Sequence, residues 1–180
     1  MATILQAEID AHHQPLREIF WEYLVWANDM NDQTFGIRLD IAALLERDMA
    51  TLQKFMPPDG RLLLAQVDSQ IAGCVCLKAL TPTMGEVKRL YVRPAYRGQG
   101  IAKSLITTLL DEARQQGYTI IRLDSARFMT AAHALYRSFG FQDIEPYPES
   151  EIPAEYHRFW VFMEKKQAGS LGIAKSESGL

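Results

Sequence analysis

Between Val92 and Ala102 the chain reads Val-Arg-Pro-Ala-Tyr-Arg-Gly-Gln-Gly-Ile-Ala, a strand end, a glycine-rich turn and a helix start. Val87, Leu90 and Val92 supply the apolar strand and Pro94 stops it. Gly98 and Gly100 let the backbone approach a partner closely or take positive φ. Ile101, Ala102, Leu105, Ile106, Leu109, Leu110 and Ala113 then recur at helical spacing as far as Gly117. A helix leaves its first N–H groups unpartnered, and Ser, Thr, Asp or Asn usually meets them. Here the entry is Arg97-Gly98-Gln99-Gly100, with Lys103 in the first turn and no acid. Free amides and the positive dipole end then point the same way, which suits an anion. The pattern reads as a pyrophosphate cradle. It is neither G-x-x-x-x-G-K-[ST] nor G-x-G-x-x-G, so nucleoside triphosphate and dinucleotide folds are disfavoured.

Arg97-x-x-Gly100-x-Ala102 resembles the [Q/R]-x-x-G-x-[G/A] motif of the GNAT superfamily of N-acetyltransferases. Ala132-His-Ala-Leu-Tyr136-Arg-Ser-Phe-Gly140-Phe141 is similar to the A-x-x-L-Y-x-x-x-G-F block that comes after it in that family. The likeness extends well over residues 60 to 164 and in outline over the first sixty. It implies that acetyl-CoA is the acyl-donor cosubstrate. The amides of Arg97, Gly98, Gln99, Gly100, Ile101, Ala102 and Lys103 would hold its pyrophosphate. The backbone of Leu90, Tyr91 and Val92, on a strand that splays from its neighbour, would bond the pantetheine arm.

For catalysis the resemblance assigns Tyr136 to the thioester, as donor of a proton to the departing thiolate. A phenol of pKa about 10 is still protonated at neutral pH and suits that task. The amine needs the opposite service, because an alkylamine of pKa about 10.4 is only about one-thousandth neutral at pH 7.4. Glu86, near the start of the central strand, is the candidate base, with a salt bridge to Lys88 as its plainer role. His133 lies one helical turn before Tyr136 and reads as a polar surface residue. Two positions depart from the family pattern. Met129 stands where many members carry an asparagine, and Lys88 where many carry a glutamate. The implied reaction is direct attack by a primary amine, small molecule or peptide, in a ternary complex. The alternative is a non-catalytic acyl-CoA sensor.

The last loop holds Asp143, Glu145, Glu149, Glu151 and Glu155 interleaved with Tyr147 and Tyr156, and the first helix adds Glu18, Glu22, Asp29 and Asp32. These carboxylates and aromatics either attract a cationic amine or form a solvated acidic face. Arg158 to Met163 reads as a core edge strand. Cys74 and Cys76 alternate onto one face of a strand as packed, reduced thiols, and no partner pair at metal spacing accompanies them. No metal is expected.

The elements that must position these residues can be read from periodicity. A weak strand covers residues 2 to 8, and helices cover 14 to 28 and 41 to 55. Strands at 61 to 67 and 71 to 80 form a hairpin, and a third occupies 86 to 92. A helix at 101 to 116, a strand at 119 to 124 and a short helix at 131 to 139 come next, then strands at 141 to 145 and 158 to 164. Hairpins first and alternating helices later predict an α/β fold, a mixed, mostly antiparallel sheet flanked by helices on both faces. Residues 1 to 166 read as one domain and 167 to 180 as a flexible tail. At 180 residues, 48% of them hydrophobic, and net charge −3, the chain is globular and unsuited to sequence-independent nucleic-acid binding. It has no apolar run of membrane-spanning length and no signal pattern, so a cytoplasmic monomer or homodimer without membrane partners is expected.

Overall fold

The computed structural model describes residues 1–168. In chain order it contains β1 (Thr3–Gln6), α1 (Ile9–Phe35), α2 (Ile41–Ala50), β2 (Arg61–Val67), β3 (Gln70–Thr81), β4 (Met84–Val92), α3 (Ile101–Gln115), β5 (Ile120–Ala126), α4 (Thr130–Ser138), β6 (Gln142–Ile144) and β7 (Trp160–Lys166). The seven strands form a single sheet in the order β1-β2-β3-β4-β5-β7-β6. All neighbours are antiparallel except β4 and β5. β7 therefore lies inside the sheet rather than at its edge, because β6 covers its outer side. Most of the tail expected at 167 to 180 lies outside the described residues. No helix among these residues is long and apolar enough to cross a membrane.

Helices cover both faces, and the strand sequences show why. β2 carries Leu62-Leu63-Leu64-Ala65, a continuous apolar run of the kind a strand buried on both sides requires. Leu63 and Ala65 pack with Val75, Leu77, Leu105, Leu109 and Ile121 under α3 and α4. Leu62 and Leu64 pack with Cys74, Cys76, Leu16, Phe20 and Phe55 under α1 and α2. α1 is longer than its periodicity predicts. Its polar segment past Asn28 continues as helix to Gly36, whose φ of 69° closes it.

Two irregularities shape the centre of the sheet. β4 and β5 pair only at Met84↔Ile120, Gly85↔Ile121 and Glu86↔Arg122, and beyond these they separate. On the other side of β4 the register slips, since Cys74 faces Tyr91 while Cys76 faces Lys88. The extra residue is a β-bulge, and Arg89 within it has a φ of 57°. The Arg89 guanidinium explains this conformation. It is buried against Asp48 of α2, with Nε donating to Oδ2 at 2.8 Å and a second nitrogen at 2.6 Å, and it lies 5.6 Å from the Tyr23 ring.

Gly73 lets β3 run close beneath this end of β4. A Cβ there would meet the Tyr91 carbonyl oxygen at 2.8 Å and Val92 Cγ2 at 3.2 Å. Gly73→Ala should therefore destabilise the protein by about 1–3 kcal/mol. Thermal unfolding checks this as a fall in Tm of about 2–4 °C per kcal/mol; an unchanged Tm would contradict the close approach.

Candidate functional site

The turn after β4 has the geometry its sequence implies. Gly98 and Gly100 have φ of 77° and 76°, and neither would meet an atom within 4 Å if it gained a Cβ. Their requirement is conformational rather than spatial. Gly100 caps α3 in a left-handed conformation, no side chain caps the helix, and no acid lies in its first turn. Ser104 N–H is the first to bond back into the helix, to the Gly100 carbonyl at 3.0 Å. The amides of Ile101, Ala102 and Lys103 precede it and are free for an anion. The Arg97 amide, expected to hold pyrophosphate, instead donates to the Pro94 carbonyl at 3.3 Å. Arg97 Nε donates to the Val92 carbonyl at 2.9 Å, and its guanidinium lies 5.6 Å from the Trp26 ring and 5.7 Å from the Tyr91 ring. The side chain thus clamps the turn to β4 and α1. Leu90, Tyr91 and Val92 are the last residues of β4, past the point where β5 departs.

The separation of β4 from β5 opens into a cavity of about 490 Å³ between α1, α2, α4 and the loop before β7. Tyr136 of α4 lines it and is largely buried, its ring 5.6 Å from Phe141. Burial first, then the nearness of Tyr23 and Asp124, raises its pKa, so the phenol is protonated at neutral pH. Leu123 and Ser125 face α3 and α4, so Asp124 between them points to the opposite face. Asp124 also lines the cavity; its Oδ2 accepts from Ser150 Oγ at 3.0 Å and lies 3.4 Å from Lys88 Nζ. Sequence reading missed this residue because it ends an otherwise ordinary alternating strand. Its signal was a carboxylate just where the paired strand runs out.

Glu86, the candidate base, takes the plainer of its two expected roles, an ion pair with Lys88. Glu86 is 0% exposed and is not part of the cavity wall. Tyr147 Oη donates to it at 2.7 Å, and Lys78 and Lys88 approach at 3.1 and 3.5 Å. It reaches the cavity only through Lys88, which does line it. Burial opposes the charge on Lys88, but Asp124, Glu86 and Glu151 outweigh it and raise its pKa.

Two expectations need correction. His133 is buried rather than on the surface. Its Nε2 lies 3.0 Å from Ser125 Oγ, and burial first, then Arg137, lowers its pKa, so the ring is neutral at pH 7. The packing of α4 against the end of β5, invisible to helical periodicity, accounts for this. The acidic loop, in turn, is largely neutralised. Asp143 pairs with Arg137 at 3.0 Å, Glu149 with Arg122 at 3.3 Å, and Glu151 with Lys78 at 2.9 Å and Lys88 at 3.7 Å. On α1, Glu22 holds Arg93 and Asp32 holds Arg38. Tyr147 is buried on Glu86, whereas Tyr156 lines the cavity beside Trp160. Met129 also lines it, and its Sδ lies 3.4 Å from Ser125 Oγ. Among the described residues, no group of three or more His, Cys, Asp and Glu side chains is placed to hold a metal ion.

Burial raises the Glu151 carboxyl, but Lys88 and Lys78 overcome that and hold its pKa at about 2. A carboxylate depressed in the folded state stabilises it above the unfolded pKa and loses that contribution as pH falls through the folded one. Glu151→Gln should therefore flatten the decline in stability between about pH 4.5 and 2 and leave the shape above pH 5 unchanged. Urea midpoints across this range test it, and an unaltered acid limb would refute the pairing.

A family profile described as "Acetyltransferase (GNAT) family" matches residues 13–141. An uncharacterized N-acetyltransferase of Schizosaccharomyces pombe is 34% identical over 123 residues, covering 67% of this chain and 76% of that protein. The IAA acetyltransferase of Azospirillum brasilense is 36% identical over 120 residues, covering 66% and 73%. N-acetyltransferase 8F1 of Rattus norvegicus is 37% identical over 108 residues, which is 57% of this chain and about half (49%) of that protein. Among solved structures, the PaiA N-acetyltransferase of Thermoplasma acidophilum in complex with coenzyme A superposes with a TM-score of 0.71 at 21% identity, over 93% of this chain and 99% of that one. At that identity the likeness is one of fold.

Proposed function

Because the chain belongs to the acetyltransferase (GNAT) family and is an acetyl-CoA-dependent acyltransferase, we propose that it acetylates a primary amine by direct attack. The supporting observation is the pairing of a protonated phenol, Tyr136, with a carboxylate, Asp124, on one cavity where β4 leaves β5. The uncapped start of α3 fits the donor, since its unpartnered amides and positive dipole end suit a pyrophosphate. Acetyl-CoA supplies the thioester. The residues of this chain do the rest.

Asp124 receives the amine as an ammonium and, with Lys88 fixing its orientation, holds it at the mouth of the split. Loss of the ammonium proton, to Asp124 or to water beside it, frees the nitrogen lone pair to attack the thioester carbon. Tyr136 gives its proton to sulfur as the C–S bond breaks, so the leaving group departs as a thiol, and the second proton, shed by the nitrogen as the amide forms, passes through water to restore the phenol. Glu86 serves from beneath, holding Lys88 in place. Neither cysteine takes part in this scheme. Both are wholly buried, and burial pushes the Cys74 thiol up to about 12 and Cys76 well above its ordinary value, so neither is a nucleophile.

Calorimetric titration with acetyl-CoA and CoA, paired with a turnover assay, tests this reading. Gly100→Glu should abolish binding of both, through backbone strain and a carboxylate at the cradle. Tyr136→Phe should bind acetyl-CoA as the native protein does and lose about 10²-fold or more in kcat. A folded native protein that binds neither ligand would overturn the proposal. Binding without turnover of any amine would instead favour an acyl-CoA sensor.

A further inference from the structure

If the chain transfers acetyl to an amine, a reading on which this inference rests, the same cavity must also choose the acceptor. Its walls are largely apolar, with Leu24, Leu39, Ile41, Leu44, Ile152 and Trp160 among the lining residues. The acids that border it are already engaged. Asp40 Oδ1 accepts the Ala43 N–H at 3.0 Å as the cap of α2, Asp124 holds Lys88 and Ser150, and Glu151 holds Lys78 and Lys88. Arg47 and Lys88 stand on the same wall as counter-charges, while Arg89 there is committed to Asp48. A second or third ammonium on the acceptor would find none of these three carboxylates uncommitted. That disfavours acceptors that carry several positive charges.

Among the described residues, Asn31 Oδ1 is the one buried, unpartnered side-chain oxygen that belongs to a wall residue. Asn31 is 4% exposed and lines the cavity, and its buried Oδ1 has no hydrogen-bond partner in the protein. Its neighbour Asn28 shows the contrast, because Asn28 Oδ1 is consumed by the Leu39 N–H at 2.8 Å. Asn31 lies eight residues along α1 from Tyr23, which sits near Tyr136 and Asp124. At 1.5 Å per residue that places it about 12 Å along the helix from Tyr23. A buried amide oxygen without a partner is costly unless something completes it.

We propose that the acceptor is a compact monoamine with an apolar, aromatic-sized body and one uncharged hydrogen-bonding group at the end remote from the amine, which Asn31 receives. Hydrophobic walls select the body, Asp124 takes the single ammonium, and the Asn31 amide, which can both donate and accept, reads a hydroxyl or carboxamide.

The test compares tyramine, phenethylamine, spermidine, kanamycin and an N-terminally blocked lysine peptide as acceptors for the full chain, measuring CoA release below saturation. Tyramine should exceed phenethylamine by about five- to tenfold in kcat/KM, the worth of one hydrogen bond. Both should exceed spermidine, kanamycin and the peptide by about 100-fold or more. Asn31→Leu, similar in volume, should bring tyramine down to the level of phenethylamine and leave phenethylamine unchanged. The comparison in the native protein stands even if that variant does not fold. Preference for any of the polycations or the peptide overturns the proposal. So does equal use of tyramine and phenethylamine by the native protein, or an equal effect of Asn31→Leu on both. Acetyl-CoA binding without turnover of any of these amines also refutes the acceptor class while leaving the donor site intact. Failure to bind acetyl-CoA refutes the transferase reading itself.

Discussion

The Arg89–Asp48 ion pair joins the helical layer to the irregular strand at the centre of the sheet. Two charges removed from water cost several kcal/mol each, and only close, well-directed contacts offset this. Here the guanidinium meets one carboxylate oxygen through two nitrogens at 2.6 and 2.8 Å and rests against the Tyr23 ring. To reach Asp48, the chain at Arg89 takes a left-handed backbone that a long side chain seldom adopts. Arg89 and Leu90 together oppose Val75, and this bulge bends the strand that borders the cavity. Asp48 belongs to α2, so that helix and β4, both of which contribute residues to the cavity wall, are tied by one contact. Removing either partner alone would strand a buried charge.

The network around Lys88 plays a different part. Lys88 stands on the exposed side of Glu86 and meets Asp124 and Glu151 as well. The region carries many charges yet presents little net field, because each is answered within a few ångströms. A cavity built this way discriminates by shape and by one or two directed contacts rather than by attraction at a distance. It contrasts with the open, single-signed clefts that gather charged ligands through long-range steering. The start of α3 works by the other principle, leaving the amides of Ile101 to Lys103 unanswered in a setting that suits an anion.

Local chemistry was legible in the sequence wherever it depended on neighbours along the chain. The uncapped entry to α3, the two glycines, the alternation of Cys74 and Cys76 and the hairpin of β2 with β3 all obey short-range rules, and all are present. What escaped depends on partners far along the chain. His133 looks like a surface residue until α4 packs on the end of β5. The acids at 143 to 155 look like a field until Arg122, Lys78 and Lys88 come from other strands to meet them. Asp124 looked like the tail of a strand because nothing local says that its parallel neighbour has already turned away. The extension of α1 to Gly36 was hidden in the same manner, since Asn31 is buried by contacts rather than by its polarity.

The two cysteines, the only ones in the chain, have a practical consequence. Both lie under α1 and α2 with no exposed surface, and each remains a neutral thiol across the working pH range. Aromatic disulfide reagents react with the thiolate and need access to it. The folded protein therefore contributes no colour of its own when such a reagent is present. Any thiol that appears during turnover belongs to released coenzyme A, and its absorbance can be read continuously, without a protein blank that drifts.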